Sequence, residues 1–336
     1  MKNDIIGVLT SVNEPNQGMI KLLEYARVSD TNLIVVGDVK TPNSWAELGF
    51  EFMAMSNQYD LFPDFATSLP QFHYSRKNLG YLQAIGLNAN WIYETDDDNS
   101  PIDNPFTARE LNVDMDFFTS PGKWLNVYEV FGTFEEAKER GKLWPRGFSL
   151  LRINDNFHLH NSTIAKSPIQ QGLANGDPDV DAIFRIANGS FLNFKNRRTV
   201  GLLDSQICPI NSQTTFWHNS IFQLMYLPST CSFRLTDILR GFVAWRILQD
   251  SDEVITFHSP IVYQDRNEHN LLKDFKEEIQ LYFYSEEIIE DFLELDLVGM
   301  STSEKLIELY QVLIKKQIVQ VGELNLIRLW NEFFKI

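Results

Sequence analysis

The chain has 336 residues, of which 44% are hydrophobic and 13% aromatic, so it can bury a large core. Its formal net charge of −16 argues against nucleic acid and anionic membrane surfaces as partners. The two cysteines, Cys208 and Cys231, provide no disulfide framework. No apolar run approaches the roughly 20 residues of a transmembrane helix. We therefore predict a cytoplasmic protein with no transmembrane segment, peripheral to a membrane only through a partner or substrate.

The first part of the chain alternates between strand-like and helical segments. Ile5–Thr10 is predicted to be a strand, Met19–Tyr25 lies in a helical pattern, and Asn32–Gly37 is a second, strongly apolar strand that ends at Asp38. Near-continuous apolar strands separated by helices are typical of a parallel sheet that is covered on both faces. The pattern therefore predicts an α/β fold.

Three successive carboxylates follow the next predicted strand, Asn88–Tyr93. In an extended chain alternate side chains share a face, so Asp96 and Asp98 would point one way and Asp97 the other. Two carboxylates suit Mg²⁺ or Mn²⁺, which take further ligands from water and substrate phosphates. An isolated acidic triplet is more often a solvated turn. The strand and the cationic helix before it favour a metal site facing a diphosphate.

That helix is predicted over residues 76–85 and begins with two cations. Backbone N–H groups at a helix start, together with nearby cations, form an anion site, so we predict that Arg76 and Asn78 face phosphate. Lys77 can equally be a solvated surface residue. Gly80 would let a ligand or a strand approach closely.

The second half of the chain is less regular. Residues 100–161 are rich in Pro, Gly, Asn and aromatic residues, which predicts long loops over a sheet edge. Asp237 precedes a helical pattern, so it can be a helix-capping residue, a general base that deprotonates a hydroxyl, or both, because the two roles are compatible. Arg266 and His269 follow a strand-like segment and could close on a diphosphate or supply a metal ligand.

Amphipathic helical patterns dominate from Lys273 onward. We predict an α/β domain of residues 1–284 and a helical C-terminal tail of residues 285–336. Leu309, Val312 and Leu313 lie on one apolar helix face, which either packs on the core or forms a homodimer interface. Both alternatives remain open at this point.

Ordered segments give the chain a resemblance to a known family. A strand, Asp38, the Arg76–Gly80 segment and the acidic triplet come in an order similar to that of GT-A glycosyltransferases. A closer likeness is to the STELLO-type glycosyltransferase-like proteins. The matching segments are Gly37–Pro42, Tyr74–Tyr81, Trp144–Gly147, Ile169–Gly172, Asp179–Arg185, Pro209–Gln213, Phe233–Gly241 and Arg266–Asn270 with Asp274 and Phe275.

The resemblance implies a GT-A core with a Rossmann-like half, a nucleotide-sugar donor, and Mn²⁺ or Mg²⁺ at Asp96 and Asp98. The predicted nucleotide-sugar-binding residues are Thr10, Asp38, Lys40, Arg76, Asn78, Asp96, Asp97, Arg266 and His269. The predicted acceptor-side residues are Trp144, Arg146, Asp179 and Asp181. Asp237 would be the base of an inverting displacement onto a hydroxyl of a glycan or a lipid-linked acceptor. We expect this glycosyltransferase to act in surface-polysaccharide synthesis.

Two other functions are compatible with the same residues. A sugar-nucleotide mutase would rearrange a donor sugar without any acceptor, so analysis of the products formed from the donor alone would identify it. A non-catalytic nucleotide-sugar-binding scaffold would bind the donor without turnover.

Overall fold

The computed structural model describes residues 4–134, 140–189, 191–203, 205–265 and 270–335. The strands are β1 (Ile5–Thr10), β2 (Leu33–Val36), β3 (Glu51–Met53), β4 (Trp91–Thr95), β5 (Asn99–Pro101), β6 (Asn112–Thr119), β7 (His158–Lys166), β8 (Ile169–Gly176), β9 (Val200–Gly201), β10 (Thr214–His218) and β11 (Ile255–Gln264). The helices are α1 (Gln17–Val28), α2 (Ser44–Glu47), α3 (Met55–Leu61), α4 (Pro63–Ser68), α5 (Lys77–Gly86), α6 (Val127–Phe131), α7 (Ala182–Asn188), α8 (Thr236–Leu248), α9 (Leu271–Glu294), α10 (Thr302–Lys315) and α11 (Glu323–Glu332).

Within the described ranges the strands form one mixed sheet in the order β3-β2-β1-β4-β10-β8-β11-β9-β6-β7, with β5 paired to β11. The first four are mutually parallel. β10 then runs antiparallel between β4 and β8. The parallel order 3-2-1-4 is that of a Rossmann-like half, and it confirms the predicted α/β fold.

Helix α5 packs directly on the parallel strands because it carries a glycine at the contact. A Cβ atom on Gly80 would lie 2.6 Å from both Val8 Cγ1 and Val36 Cγ2. The sequence predicted that a ligand or a strand approaches Gly80 closely, and in the structure the strands of the sheet do so. This contact holds α5 on β1 and β2, and Lys77 at the start of α5 donates to the Thr95 carbonyl at the end of β4 at 2.7 Å.

The prediction of long loops over residues 100–161 is partly wrong. This part of the chain contains β5, β6, α6 and the start of β7, and β6 and β7 pair antiparallel along their lengths. The segments missed are strands at the far end of the sheet, where exposed polar residues replace the apolar pattern of buried strands: β7 is exposed at nearly every position.

The predicted domain boundary at residue 284 falls inside α9, an unbroken helix of 24 residues. Apolar residues of α9, α10 and α11 belong to the same buried cluster as the sheet and α8, among them Phe292, Leu309 and Trp330. Leu309, Val312 and Leu313 are buried within the chain, so this helix face packs on the core and is not free for a partner. The predicted separate tail is corrected to an integral part of the fold.

None of the helices in the described part of the chain combines the length and hydropathy that crossing a bilayer requires.

Candidate functional site

A pocket of about 450 Å³ opens at the carboxyl edge of the parallel strands. Its lining residues are Thr10, Ser11, Val12, Asn13, Asp38, Lys40, Phe72, His73, Tyr74, Asp96, Asp97, Asp98, Arg146, Asp179, Ser212, Gln213, Phe233, Arg234, Asp237 and Gln264. β1, β2 and β4 end at the same edge because they are parallel, and the antiparallel β10 begins there. Open α/β sheets bind their ligands at such an edge, which explains why residues distant in sequence converge here.

The acidic triplet enters the pocket as a turn and not as extended chain. β4 ends at Thr95, and the amide of Asn99 donates to the Asp96 carbonyl at 3.2 Å. The predicted alternation of faces is therefore wrong, since all three carboxylates line the pocket. The prediction assumed that the strand continued, whereas the turn leads straight into β5.

The last two carboxylates of this turn contact different sides of the pocket. Asp97 accepts hydrogen bonds from the Ser11 hydroxyl and, at 3.0 Å, from the Asn13 side-chain amide. Asp98 Oδ2 accepts from Gln264 Nε2 at 3.0 Å. The turn is thus fastened on one side to the loop after β1 and on the other side to the end of β11.

Asp96 has a third set of partners. Its Oδ1 accepts from the Tyr74 hydroxyl at 2.6 Å and from Lys77 Nζ at 3.2 Å. Burial raises the pKa of Asp96, and the Lys77 ammonium opposes this increase. Burial also raises the pKa of Tyr74 well above its ordinary value, so Tyr74 keeps its proton and can donate it. The Tyr74 hydroxyl also lies 2.6 Å from Ser212 Oγ.

The start of α5 reverses the predicted roles of its polar residues. Arg76 is fully buried and donates from Nε (2.9 Å) and Nη2 (2.6 Å) to Gln58 Oε1, so it does not face a phosphate. Asn78 is also buried and exchanges two hydrogen bonds of 2.8 Å with the backbone of Leu227. Lys77, which the sequence left open, is buried behind the pocket wall and donates to the Tyr74 hydroxyl at 2.7 Å and to Asp96 Oδ1 at 3.2 Å. Successive side chains of a helix point in different directions, so three neighbours cannot all face one ligand.

Arg146 is the centre of the opposite wall, and all five of its N–H groups are used within the protein. Nε and Nη2 donate to the two Asp179 oxygens, both at 2.8 Å. Nη1 and Nη2 donate to the two Asp237 oxygens at 3.1 and 3.0 Å, and the remaining N–H of Nη1 donates to the Arg234 carbonyl. A guanidinium has five donors, so Arg146 retains none for a ligand. It lines the pocket as the group that holds two carboxylates in place.

Asp237 lies in the pocket wall but is a poor proton acceptor. Burial raises its pKa, but the charge and hydrogen bonds of Arg146, the charge of Arg240 and the Ser212 amide together outweigh burial and lower the pKa below the ordinary value. Its Oδ2 also accepts from the amide and the hydroxyl of Ser212, both at 3.2 Å. A general base works best with a pKa near the working pH, so this environment argues against the predicted base role.

Two of the predicted acceptor-side residues lie outside the pocket. Trp144 is buried and donates from Nε1 to Asp181 Oδ2 at 2.6 Å, and Asp181 Oδ1 caps α7 by accepting from the Phe184 amide at 2.7 Å. Burial raises the pKa of Asp181 to about 7 despite these two donors. Both residues are structural, whereas Arg146 and Asp179 do line the pocket.

The predicted residues at the ends of β1 and β2 are brought together as expected. Thr10 donates to the Val36 carbonyl at 2.8 Å, and Asp38 accepts from the Val39 and His73 amides at 2.7 and 3.3 Å. Lys40 lies 5.5 Å from the centre of the Phe72 ring. The side chains of Thr10, Asp38 and Lys40 line one end of the pocket.

Several residues of the pocket received no role from the sequence. Tyr74, Ser212, Phe233 and Arg234 all lie in segments that carried the family resemblance, and this was the available signal. Their chemistry is not distinctive in isolation, because Ser, Tyr, Phe and Arg are common in loops. Arg266 and His269, two predicted donor-site residues, lie outside the described residues.

The residues of the pocket fit a hard divalent cation only if water and substrate phosphates supply the remaining ligands. Within the described ranges no three His, Cys, Asp or Glu side chains converge closely enough to hold a metal by themselves. The acidic turn nevertheless presents carboxylate oxygens to a polar pocket. One or two carboxylates, completed by water and substrate phosphates, are the donor set that Mg²⁺ ordinarily takes.

Comparisons with known proteins agree with the resemblance that the sequence indicated. A family model described as STELLO glycosyltransferases matches residues 234–335. Two Arabidopsis thaliana proteins, named probable glycosyltransferase STELLO1 and STELLO2, are each 27% identical to the chain over 73% and 81% of its length. The matches cover 34% and 37% of those proteins, so the chain spans about a third of the length of these curated relatives. The predicted resemblance is confirmed.

Two solved structures are more distantly similar. One is a mycobacterial protein, with 10% identity and a TM-score of 0.40 over 82% of this chain and 72% of that one. The other is glucosyl-3-phosphoglycerate synthase from Mycobacterium tuberculosis in complex with Mn²⁺, uridine diphosphate and phosphoglyceric acid. It has 11% identity and a TM-score of 0.41 over 88% of this chain and 80% of that one. The α/β assignment rests on the sheet order of the chain itself.

Proposed function

We propose that the chain is a GT-A glycosyltransferase that transfers a sugar from a nucleotide-sugar donor to an acceptor hydroxyl. One observation carries the proposal: the acidic turn 96–98 enters a pocket at the carboxyl edge of a Rossmann-like half-sheet, opposite a wall built on Arg146. The names of the similar proteins support the same activity.

In this proposal the two ends of the pocket bind different parts of the substrates. Thr10, Asp38 and Lys40 follow parallel strands, and in this proposal they contact the base and ribose of the donor. Asp97 and Asp98 then lie beside the diphosphate. The donor sugar extends towards the wall that contains Asp179, where the acceptor enters.

Asp98, with Asp96 beside it, would hold a Mn²⁺ or Mg²⁺ ion. Such an ion supplies Lewis-acid stabilisation of the charge that develops on a departing nucleoside diphosphate. Lys77 balances the charge of Asp96 from the other side, at 3.2 Å. Tyr74 fixes the orientation of that carboxylate through its 2.6 Å hydrogen bond.

Asp237 receives a different role from the one the sequence suggested. We propose that it positions Arg146 and Ser212, because both of its oxygens accept hydrogen bonds within the wall. The inverting outcome depended on Asp237 as base and stays a prediction, as does the link to surface-polysaccharide synthesis.

The test is a thermal-shift screen of the purified chain against nucleoside diphosphates and nucleotide sugars, with and without Mn²⁺. We expect one nucleotide to raise the melting temperature only when the metal is present. Asp98→Ala should abolish that increase, while the exposed Asp60→Ala on α3 should keep it. If no nucleotide shifts the melting temperature in the presence of metal, the proposal is wrong.

A non-catalytic nucleotide-sugar-binding scaffold is the second candidate, and the engagement of Asp237 with Arg146 favours it. This candidate predicts the same metal-dependent binding. It differs in turnover: a glycosyltransferase releases nucleoside diphosphate from its donor, at least slowly to water, whereas a scaffold releases none. Chromatographic analysis of the donor after overnight incubation distinguishes the two, and a rearranged donor sugar would instead indicate a mutase.

A further inference from the structure

We propose that Phe233, Arg234 and Asp179 form a subsite for the ring of a neutral sugar, so that the acceptor is an uncharged glycan. This inference rests on the proposed function and narrows its acceptor. Phe233 lines the pocket although 51% of the residue is exposed. Most other residues that line the pocket are polar, so an exposed aromatic ring among them offers a surface on which the apolar face of a ligand can pack.

The orientation of the Phe233 ring is fixed by its neighbours. It meets the Tyr74 ring at 69° with the centroids 5.5 Å apart, and the His73 ring at 68° and 6.3 Å. His73 and Tyr74 thereby support the ring while half of the residue stays open. One face of a pyranose carries mainly C–H groups, and such a face stacks on an aromatic ring.

Hydrogen-bonding groups lie beside this ring. Arg234 donates from Nε and Nη2 to Oε1 of Glu278 at 2.8 and 2.6 Å, which fixes its plane. These two bonds use two of its five N–H groups. Asp179 Oδ1 lies 4.0 Å from Arg234 Nη2 and retains acceptor capacity beyond its bonds to Arg146. A donor and an acceptor side by side match sugar hydroxyls, which both donate and accept.

The charge of this wall disfavours an anionic acceptor. Among the described residues, the guanidinium groups of Arg146 and Arg234 contact three carboxylates, those of Asp179, Asp237 and Glu278, so these five side chains together carry one excess negative charge. Arg146 has no N–H left to offer. A phosphate or carboxylate at this position would be repelled, whereas an uncharged ring is not. The structure therefore favours a neutral glycan over an acceptor recognised through a phosphate.

Saturation-transfer NMR on the full chain tests the subsite directly. The probes are methyl glucoside, methyl galactoside and methyl mannoside, with glucuronate and glucose 1-phosphate as anionic counterparts. We expect at least one neutral glycoside to give a signal, and the anionic sugars to give a signal at least five-fold weaker. Stronger binding of the anionic sugars, or no binding by any neutral glycoside, would overturn the proposal.

Variants assign the signal to Phe233. Phe233→Ala should reduce it at least five-fold, and Phe233→Trp should retain it. Phe283→Ala, which removes an exposed ring of α9 outside the pocket lining, should leave it unchanged. A signal that persists in Phe233→Ala would contradict the inference. Metal-dependent nucleotide binding is measured on the same samples to separate the two proposals. If the unmodified chain binds a glycoside but no nucleotide, the glycosyltransferase proposal is wrong. If it binds a nucleotide but no neutral glycoside, the subsite proposal is wrong.

Discussion

The hydroxyl of Tyr74 lies 2.6 Å from Oδ1 of Asp96, and it connects the acidic turn to the opposite wall of the pocket. The same hydroxyl is 2.6 Å from Ser212 Oγ, which in turn donates to Asp237 Oδ2 at 3.2 Å. A line of three close polar contacts therefore runs across the pocket from Asp96 to Asp237, and the two hydroxyl protons make two of the three contacts hydrogen bonds at any one time. Tyr74 therefore contacts both the acidic turn and the wall that contains Asp237.

Replacement of Tyr74 by phenylalanine should weaken metal-dependent nucleotide binding. The variant removes a hydrogen bond to a carboxylate, an interaction that contributes about 1.5–3 kcal/mol, so we expect about a 10-fold or greater increase in Kd. Isothermal titration calorimetry with Mg²⁺ and the nucleotide selected by the thermal-shift screen measures it. Tyr310→Phe is the matched control, because the buried Tyr310 hydroxyl has no hydrogen-bond partner among the described residues. Equal Kd values for the two variants would contradict the positioning role of Tyr74.

Loss of Arg146 should destabilise the whole fold. Arg146→Ala would leave the buried carboxylates of Asp179 and Asp237 without their shared partner, and breaking a buried ion pair in this way costs about 3–5 kcal/mol. Arg198→Ala is the comparison, since Arg198 pairs with Asp114 at an exposed site, where an ion pair contributes about 0–1 kcal/mol. Urea unfolding gives both free energies. Similar losses in the two variants would show that the wall does not depend on Arg146.

The carboxyl of Asp181 should make stability depend on pH. Its pKa is raised by burial to about 7, so between about pH 4 and 7 the native state holds a proton that the unfolded chain has released. The stability contributed by this group therefore falls as the pH rises through this window and is constant above it. One pH unit corresponds to about 1.36 kcal/mol, so about 2 kcal/mol is lost between pH 5 and 7.

The measurement compares the free energy of unfolding of the unmodified chain and of Asp181→Asn at pH 5 and pH 8. Asparagine also caps helices well and does not titrate, so the cap of α7 is kept. The stability of the unmodified chain relative to the variant should decrease between the two pH values. If the difference in the free energy of unfolding between the two proteins is the same at pH 5 and pH 8, Asp181 is ionised in the native state at both pH values.

The C-terminal helices should be required for folding. Glu323 at the start of α11 is fully buried and accepts from the Ser229 and Thr230 amides at 2.9 and 2.7 Å, and from the Tyr226 hydroxyl. Glu323→Ala leaves these donors without a partner and should cost about 3 kcal/mol. Glu332→Ala, at an exposed position of the same helix, should change stability by no more than about 0.5 kcal/mol.

Truncation after residue 284 tests the same point at the level of the fold. It would cut α9 in its middle and remove Trp330, Leu309 and Phe292 from the core cluster. We expect an insoluble product. A soluble, cooperatively folding fragment of residues 1–284 would restore the domain boundary that the sequence suggested.

The sequence by itself determined the parallel half of the fold and the place of the acidic turn. Predicted strand Ile5–Thr10 matches β1, and the apolar run before Asp38 contains β2. Buried parallel strands are continuous apolar runs, and this pattern is local, so it can be recognised without knowing what packs against it. The carboxylates that follow such strands must lie at one sheet edge, which is why Asp38 and Asp96 were correctly brought together.

Only the tertiary structure decided which of three adjacent polar residues contacts the acidic turn: it is Lys77, through Asp96. Arg76 and Asn78 are equivalent to Lys77 in a sequence pattern, yet Arg76 binds Gln58 and Asn78 binds the backbone of Leu227. Likewise, the base role assigned to Asp237 depended on its protonation, and Arg146, 91 residues away in sequence, controls it. Side-chain direction and pKa are set by neighbours that are distant in the chain, and local patterns do not encode those neighbours.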